Sequence, residues 1–345
     1  MTLAYIPITL TNNESTATAT SFQQLLQNIN MRDYFQFLNP DLSNTYFSSD
    51  SAGSTVINSW IESGNTNIST DTTFWVVTSI AANSTITIYL QVDLSGTNHL
   101  NTTTTGVAPQ LTSTYAEYDN GANIFPFYNN FAGTTLPSSF ATSDASGMSV
   151  NNGVSISAGA VYTTSAVFTS LDSIEEMYAK YTSLNGVGFV GMMQSNTQAP
   201  QSSNAGSNAE ILWMTGPSSN TYYSWAADGV SASYNIQSNV ESSFTPSLNV
   251  PYIIGSFVSS SEVGETVNYT TSLSASGTFN TQQYIILGYF TGSSAAATAD
   301  NPIFVQWVRT RAYPPSGVMP SVSLGTPSGF PYVNTTSSVT EVLDF

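Results

Sequence analysis

Ser84–Val92, STITIYLQV, alternates polar and apolar side chains without a break. Ile86, Ile88, Leu90 and Val92 fall on one face of an extended chain; Thr85, Thr87, Tyr89 and Gln91 fall on the other. That is the period of a β-strand with one buried face. Working outward, Phe74–Ile80 (FWVVTSI) and Leu3–Thr11 (LAYIPITLT) are further β-rich runs. Thr55–Glu62 (TVINSWIE) reads as a strand packing Trp60, entered from a turn at Asp50–Gly53. Ser21–Asn28 (SFQQLLQN) fits either a helical turn or another strand. No heptad or solenoid period appears.

A polar stretch, Gly96–Thr114, reads as a linker or long surface connection. Beyond it, Tyr115–Phe131 is dense in aromatic and turn residues, and strand candidates then recur at roughly 10–15-residue intervals to about residue 325. They include Val161–Phe168, Ala209–Met214, Tyr222–Ala226, Tyr252–Val258 and Ile303–Arg309. Ser170–Tyr181 (SLDSIEEMYAKY) has a helical look that periodicity alone does not decide. The Pro-, Gly- and Ser-rich end reads as an extended tail. The fold class is all-β: an N-terminal β-sandwich over 1–112, a second sandwich over 113–325, and a C-terminal tail over 326–345.

Composition narrows the function. Of 345 residues, 41% are hydrophobic and 7% charged, against about 25% charged in an average soluble protein. Four residues are basic (Arg32, Lys180, Arg309 and Arg311), and the formal net charge is −17. Such a chain repels phosphate backbones and anionic membranes, which excludes a nucleic-acid groove. With one histidine, His99, and no cysteine, zinc fingers, iron–sulfur clusters, disulfide scaffolds and Ser–His or Cys–His nucleophiles are disfavoured as classes. Ser, Thr, Asn and Gln supply the polar surface, which stays hydrated without ionised groups. That composition points to an extracellular protein and suits an acidic habitat.

Six Asn-x-Ser/Thr sequons, at Asn13, Asn67, Asn83, Asn101, Asn268 and Asn334, agree with an exterior location. No apolar run approaches the ~18 residues of a transmembrane helix. The opening MTLAYIPITLTN has no basic n-region or long apolar h-region. Either a signal preceding residue 1 has been cut away, or the protein leaves the cell by lysis, as virion parts do.

Several segments together resemble the family of domains of unknown function numbered 2341. They are Phe74–Leu90 with its FWV and ANSTITIYL, the opening IPITLTN from Ile6 to Asn12, Phe47–Glu62, and Tyr118–Leu136. The resemblance implies that a concanavalin-like (LamG-like) jelly roll follows, as in archaeal surface proteins that close with a segment like Val308–Gly325. Where that family ends its strand on a glycine, this chain reads YLQVDL from Tyr89 to Leu94.

Candidate chemistry is sparse. Glycosidases on concanavalin-like folds carry alternating carboxylates, and Glu117 with Asp119 begins such a pattern before Asn120-Gly121 breaks it. Asp119 reads more simply as a turn residue. Glu175 and Glu176 point to opposite faces if Ser173–Tyr181 is a strand and are adjacent surface charges if it is a helix, with Lys180 as their local counter-charge. Glu210, Trp213, Tyr223 and Trp225 form a candidate carbohydrate-binding group, in which rings stack on a sugar and the carboxylate takes a hydroxyl; the same rings read more simply as a sandwich core with tyrosines at its rim. No cofactor is expected; a calcium ion is compatible with the jelly-roll resemblance, and Asp119, Asn120, Asp300 and Asn301 are the oxygen-bearing residues to examine. Arg309 and Arg311, two apart on the last strand, are expected to pair with carboxylates of a neighbouring strand. His99 is expected to be exposed in the linker.

These readings favour a non-enzymatic structural or adhesive protein of a cell surface, filament or virion exterior. A carbohydrate-binding module comes second and a glycoside hydrolase third. The expected partners are surface glycans, other surface proteins or further copies of the chain, the last joined through the β-prone termini Leu3–Thr11 and Val339–Phe345.

Overall fold

The computed structural model describes residues 3–167, 172–182, 247–260, 262–276, 284–288 and 303–331, together with the backbone of short strands between 189 and 241. The chain is all-β, as its periodicity predicts, and its sheets stack as two sandwiches.

In the first sandwich, one sheet runs in the order Ser321–Leu324, Leu3–Asn12, Ser84–Asp93, Thr45–Ser48, Val56–Ile57. The facing sheet runs Phe22–Ile29, Thr72–Thr78, Ser59–Ser63, Thr105–Val107. The apolar face read from Ser84–Val92 lies inward: Ile88, Leu90 and Val92 pack with Ile6, Ile8, Leu26, Phe47, Phe74 and Val76. Ser21–Asn28 resolves as a strand, since its residues pair in register with Thr72–Thr78.

Two expectations about the ends of this domain are corrected. The stretch expected as a linker is folded into it. Within 96–114, Thr105–Val107 adds a parallel strand beside Ser59–Ser63, and the His99 amide donates to the Ser43 carbonyl at 2.7 Å. The Pro- and Gly-rich closing segment returns to the first sheet, where Ser321–Leu324 pairs with Ile8–Thr11. Leu3–Asn12 therefore has a partner on each side and is no free terminal strand for a second subunit. Val339–Phe345 lies outside the described residues.

The second sandwich has one sheet in the order Met148–Val150, Val154–Ile156, Ile303–Ala312, Ser173–Tyr181, Tyr252–Val258, Glu262–Val267, Thr270–Ser276. Phe127–Asn129 pairs separately with Ile303–Ala312. The other sheet includes Ala160–Thr163, Tyr284–Gly288, Ile211–Thr215 and Tyr222–Ala226. Met177, Ile254, Val305 and Val308 of the first meet Val161, Ile285 and Leu287 of the second. Ser173–Tyr181 is a strand: Glu, Met and Ala favour a helix locally, but pairing on both edges overrides that preference.

One irregularity redirects the side chains of the last long strand. Tyr178 pairs with Trp307, yet Ala179 pairs with Val305, so Gln306 is an extra residue in its strand. A bulge of this kind resets the alternation of faces. Val305 and Val308 both enter the second core, while Trp307 joins a cluster on the opposite side. The Tyr115 hydroxyl lies between two carbonyls beside the bulge, 2.7 Å from Asn130 O and 3.0 Å from Gln306 O, and shares its one proton between them. No helix among the described residues is long and apolar enough to cross a membrane.

Candidate functional site

The outer face of the Ser173–Tyr181 sheet packs on the Phe22–Ile29 sheet of the first sandwich. Between them Leu25, Trp60, Trp75, Ile124, Phe125, Ile253 and Trp307 form a third apolar cluster. The bulge directs Arg309 and Arg311 toward this junction. Arg309 is fully buried among rings, its guanidinium carbon 4.5 Å from the Trp75 centroid, 4.5 Å from Phe125 and 4.7 Å from Trp307.

The charge is balanced within the cluster. Arg309 Nη1 lies 2.8 Å from Glu62 Oε2 of the first sandwich, and Arg309 Nη2 lies 2.7 Å from Glu176 Oε2 of the second. Arg311 donates from Nε and Nη2 to Glu176 Oε1, at 2.8 and 2.7 Å. Tyr269 donates its hydroxyl proton to Glu62 Oε1 and accepts from Arg309 Nη2 at 3.0 Å, while Trp75 Nε1 donates to Glu62 Oε2 at 2.8 Å. Burial pushes the Glu176 carboxyl upward, but Arg311 and Arg309 outweigh it and hold the group below its ordinary value. Burial also opposes ionisation of Arg309; Glu176, Tyr269 and Glu62 more than offset that.

The expected pairing of Arg309 and Arg311 with a neighbouring strand is present, because Glu176 stands opposite Arg309 in register. Spacing did not disclose Glu62, which crosses from the other domain. Glu175 and Glu176 take opposite faces of a strand, as the strand alternative expects, but both are buried, which corrects their reading as surface charges. Glu175 lies in the row Thr310, Glu175, Ser256, and neither of its oxygens has a hydrogen-bond partner. Burial alone raises its pKa well above the ordinary value. Lys180 is not their counter-charge; its ammonium sits 5.3 Å over the Phe304 ring.

Asp119 is a hydrogen-bond hub beside the junction. It accepts from Trp60 Nε1 (2.9 Å), Tyr128 Oη (2.7 Å), Asn130 Nδ2 (2.8 Å) and the Gly121 amide (3.0 Å). Burial raises its pKa against the pull of those donors. Glu117 is exposed in a turn, so the two do not share a strand face. Asn120 is buried and donates to the Ser59 carbonyl at 3.1 Å; its Oδ1 occupies space that a Cβ on Gly106 would fill. Asp300 and Asn301 lie outside the described residues. Among the described residues no three His, Asp or Glu side chains gather as a metal site.

Of the expected carbohydrate-binding group, Glu210 lies outside the described residues. Trp213, Tyr223 and Trp225 are placed only by backbone register, Trp213 opposite Ser224 and Trp225 opposite Leu212. His99 is corrected from an exposed linker residue: it is partly buried, 3.0 Å from Asp93, with its ring 4.7 Å from that of Tyr46. Asn13, Asn83 and Asn268 are exposed, Asn67 and Asn101 are half-buried, and Asn334 is outside the described residues.

Two cavities flank the cluster, and Arg311, Tyr313 and Pro314 line both. The larger, about 1050 Å³, opens between Asn58, Asn123 and Phe125 on one side and Asp172 and Glu262 on the other. The smaller, about 340 Å³, lies against Tyr269, Phe257 and Thr266.

No family model matches the chain, so the resemblance to the domain family numbered 2341 gains no support there. A curated relative, "Uncharacterized protein 562" of Sulfolobus islandicus rod-shaped virus 1, is 32% identical over 343 residues, covering 91% of this chain. The chain spans 58% of that relative's length. Solved structures similar in chain trace include a Bacillus licheniformis β-glucanase (TM-score 0.42, 12% identity, 54% of this chain and 97% of that one). An endo-β-1,3-glucanase from Pyrococcus furiosus gives 0.41 at 14% identity, covering 55% and 94% of the two chains. The Emp47p carbohydrate recognition domain gives 0.40 at 12% identity, covering 54% and 95%. All three lie below a TM-score of 0.5, and the fold stands on its own strand pairing.

Proposed function

We propose that this chain is a non-catalytic structural protein of an exterior surface, a virus particle or cell envelope, acting as one rigid block of two sandwiches. The observation that carries this reading is the placement of its charge. Arg309 and Arg311, two of four basic residues, are buried against Glu62 and Glu176 where the sandwiches meet. Arg32 is exposed and Lys180 partly buried. Among the described residues the outer surface carries mainly uncharged polar groups, which stay hydrated when the surface carboxylates are protonated in acid. A viral relative is in keeping with a particle component.

The non-catalytic part is supported by four carboxylates at and beside the junction; Asp172 and Glu262, which line the larger cavity, are the pair the glucan assay below addresses. Glu62 and Glu176 are both held by Arg309, Asp119 is occupied by four donors, and Glu117 stands apart in a turn. None of these is an acid–base pair across an open groove.

Size-exclusion chromatography with light scattering at pH 3 and pH 7 tests the structural role. A species several times the 36.7 kDa chain mass is expected at both. A monomer at both would remove self-assembly. Incubation with β-1,3- and β-1,4-glucans is expected to release no reducing ends, and turnover would overturn the non-catalytic reading.

A further inference from the structure

We propose that the smaller junction cavity is a binding site for one neutral sugar ring, a function that goes beyond the structural role above and does not rest on it. The cavity measures about 340 Å³ and is lined by Arg311, Thr266, Tyr269, Tyr313, Phe257 and Thr271 among others. That is the lower end of the ~300–1,000 Å³ range of small-molecule sites.

Two of the lining groups lack a partner. Arg311 Nη1 and Thr266 Oγ1 are buried, and neither makes a hydrogen bond in the protein, although Arg311 and Thr266 are only 5% and 6% exposed. Buried donors left unpaired are rare and call for an explanation. Backbone chemistry favours the arrangement: Glu176, Gly255 and Thr266 stand in one row across three strands. A Cβ on Gly255 would lie 2.4 Å from Thr266 Oγ1, so glycine there lets the hydroxyl occupy that space.

The chemistry of the walls selects the ligand. A guanidinium N–H requires an acceptor, while a threonine hydroxyl both gives and accepts. Arg309 and Arg311 are already balanced by Glu62 and Glu176. An anionic ligand would add an uncompensated buried charge, and a cation would meet the guanidinium. What remains is a neutral molecule carrying hydroxyls and an apolar face. Tyr269, Tyr313 and Phe257 supply aromatic surface for that face, and Thr271 offers an exposed hydroxyl. A pyranose ring has both features.

Saturation-transfer NMR on the full chain, with methyl glycosides of glucose, mannose and galactose as probes, tests the site. Methyl glucuronide and glucosamine serve as the charged comparisons. At least one neutral glycoside is expected to show transfer. Thr266→Val should weaken it on the order of 10-fold by removing one hydroxyl. Met319, which also lines the cavity, takes no part in the ion pairs of Arg309 and Arg311; Met319→Trp should abolish binding by filling the space, with unchanged circular dichroism showing that each variant is folded. The proposal is overturned if no neutral glycoside binds, if only a charged probe binds, or if binding survives both substitutions unchanged.

Discussion

The interior of the first sandwich and the junction between the two sandwiches are both buried, and they are built on opposite principles. In the first, Ile6, Ile8, Leu26, Phe47, Phe74, Leu90 and Val92 interlock with no ionised group among them. Such a core is driven by area removed from water and is indifferent to direction. The junction instead gathers two arginines, two glutamates and three tryptophans, with each charge paired across a defined geometry. Directional pairs of this kind add little net stability over an apolar filling, but breaking one partner out is costly. The sandwich core therefore makes each domain fold, whereas the junction fixes how one domain sits on the other.

The comparison can be broken most forcefully at Arg309. Arg309→Met leaves Glu62 and Glu176 buried without their shared cation and is expected to cost about 3–5 kcal/mol in chemical denaturation. Replacing Arg309, Arg311, Glu62 and Glu176 together by apolar residues of similar volume should recover most of that loss, since all four buried charges are then removed. A quadruple variant no better than Arg309→Met would mean that the charges themselves stabilise the fold. Leu90→Ala in the sandwich core is expected to cost about 3 kcal/mol, within the 2–5 range for buried leucines. That loss should be the same at pH 4 and pH 7, because no titrating group is involved.

The neighbouring carboxylates Glu175 and Glu176 sharpen the contrast through pH. The folded-state pKa of Glu175 is raised above its ordinary 4.5. Its contribution is fully present below about pH 4.5 and is lost as pH rises toward the folded value. Glu176 is lowered from the same 4.5, so its contribution is present above that pH and lost as pH falls through the folded value. Urea unfolding of Glu175→Gln should therefore improve relative to the parent between pH 4 and pH 7. Glu176→Gln should lose most at pH 7 and progressively less below pH 4.5. Parallel curves for the two variants would contradict their assignment to different environments. The smallest expected effect is at Asp119→Asn, where one acceptor hub is weakened while its donors remain; a loss of about 1–3 kcal/mol should appear in the same assay.

Much of this architecture is legible in the sequence, and the parts that are not share one cause. STITIYLQV shows its buried face because one side meets the core and the other is largely polar and exposed. Arg309 and Arg311, two apart, announce partners on one side of a strand. SIEEMYAKY hides its role because it is covered on both sides, by the second core and by the first domain, so its charged residues look exposed when they are not. Glu62, separated by more than two hundred residues from its arginine, carries no local signal of that contact. The bulge at Gln306 is equally silent, although it decides which face the arginines take. The Pro- and Gly-rich run before Ser321–Leu324 spells an extended tail but does not say that the tail returns to the first sheet.

Differential scanning calorimetry of the full chain at pH 7 tests most directly whether the Arg309 cluster welds the sandwiches into one unit. A single endotherm is expected, with calorimetric and van't Hoff enthalpies in agreement. Arg309→Met should split it into two transitions. Two transitions in the parent, or a single unshifted one in the variant, would contradict the role assigned to the junction.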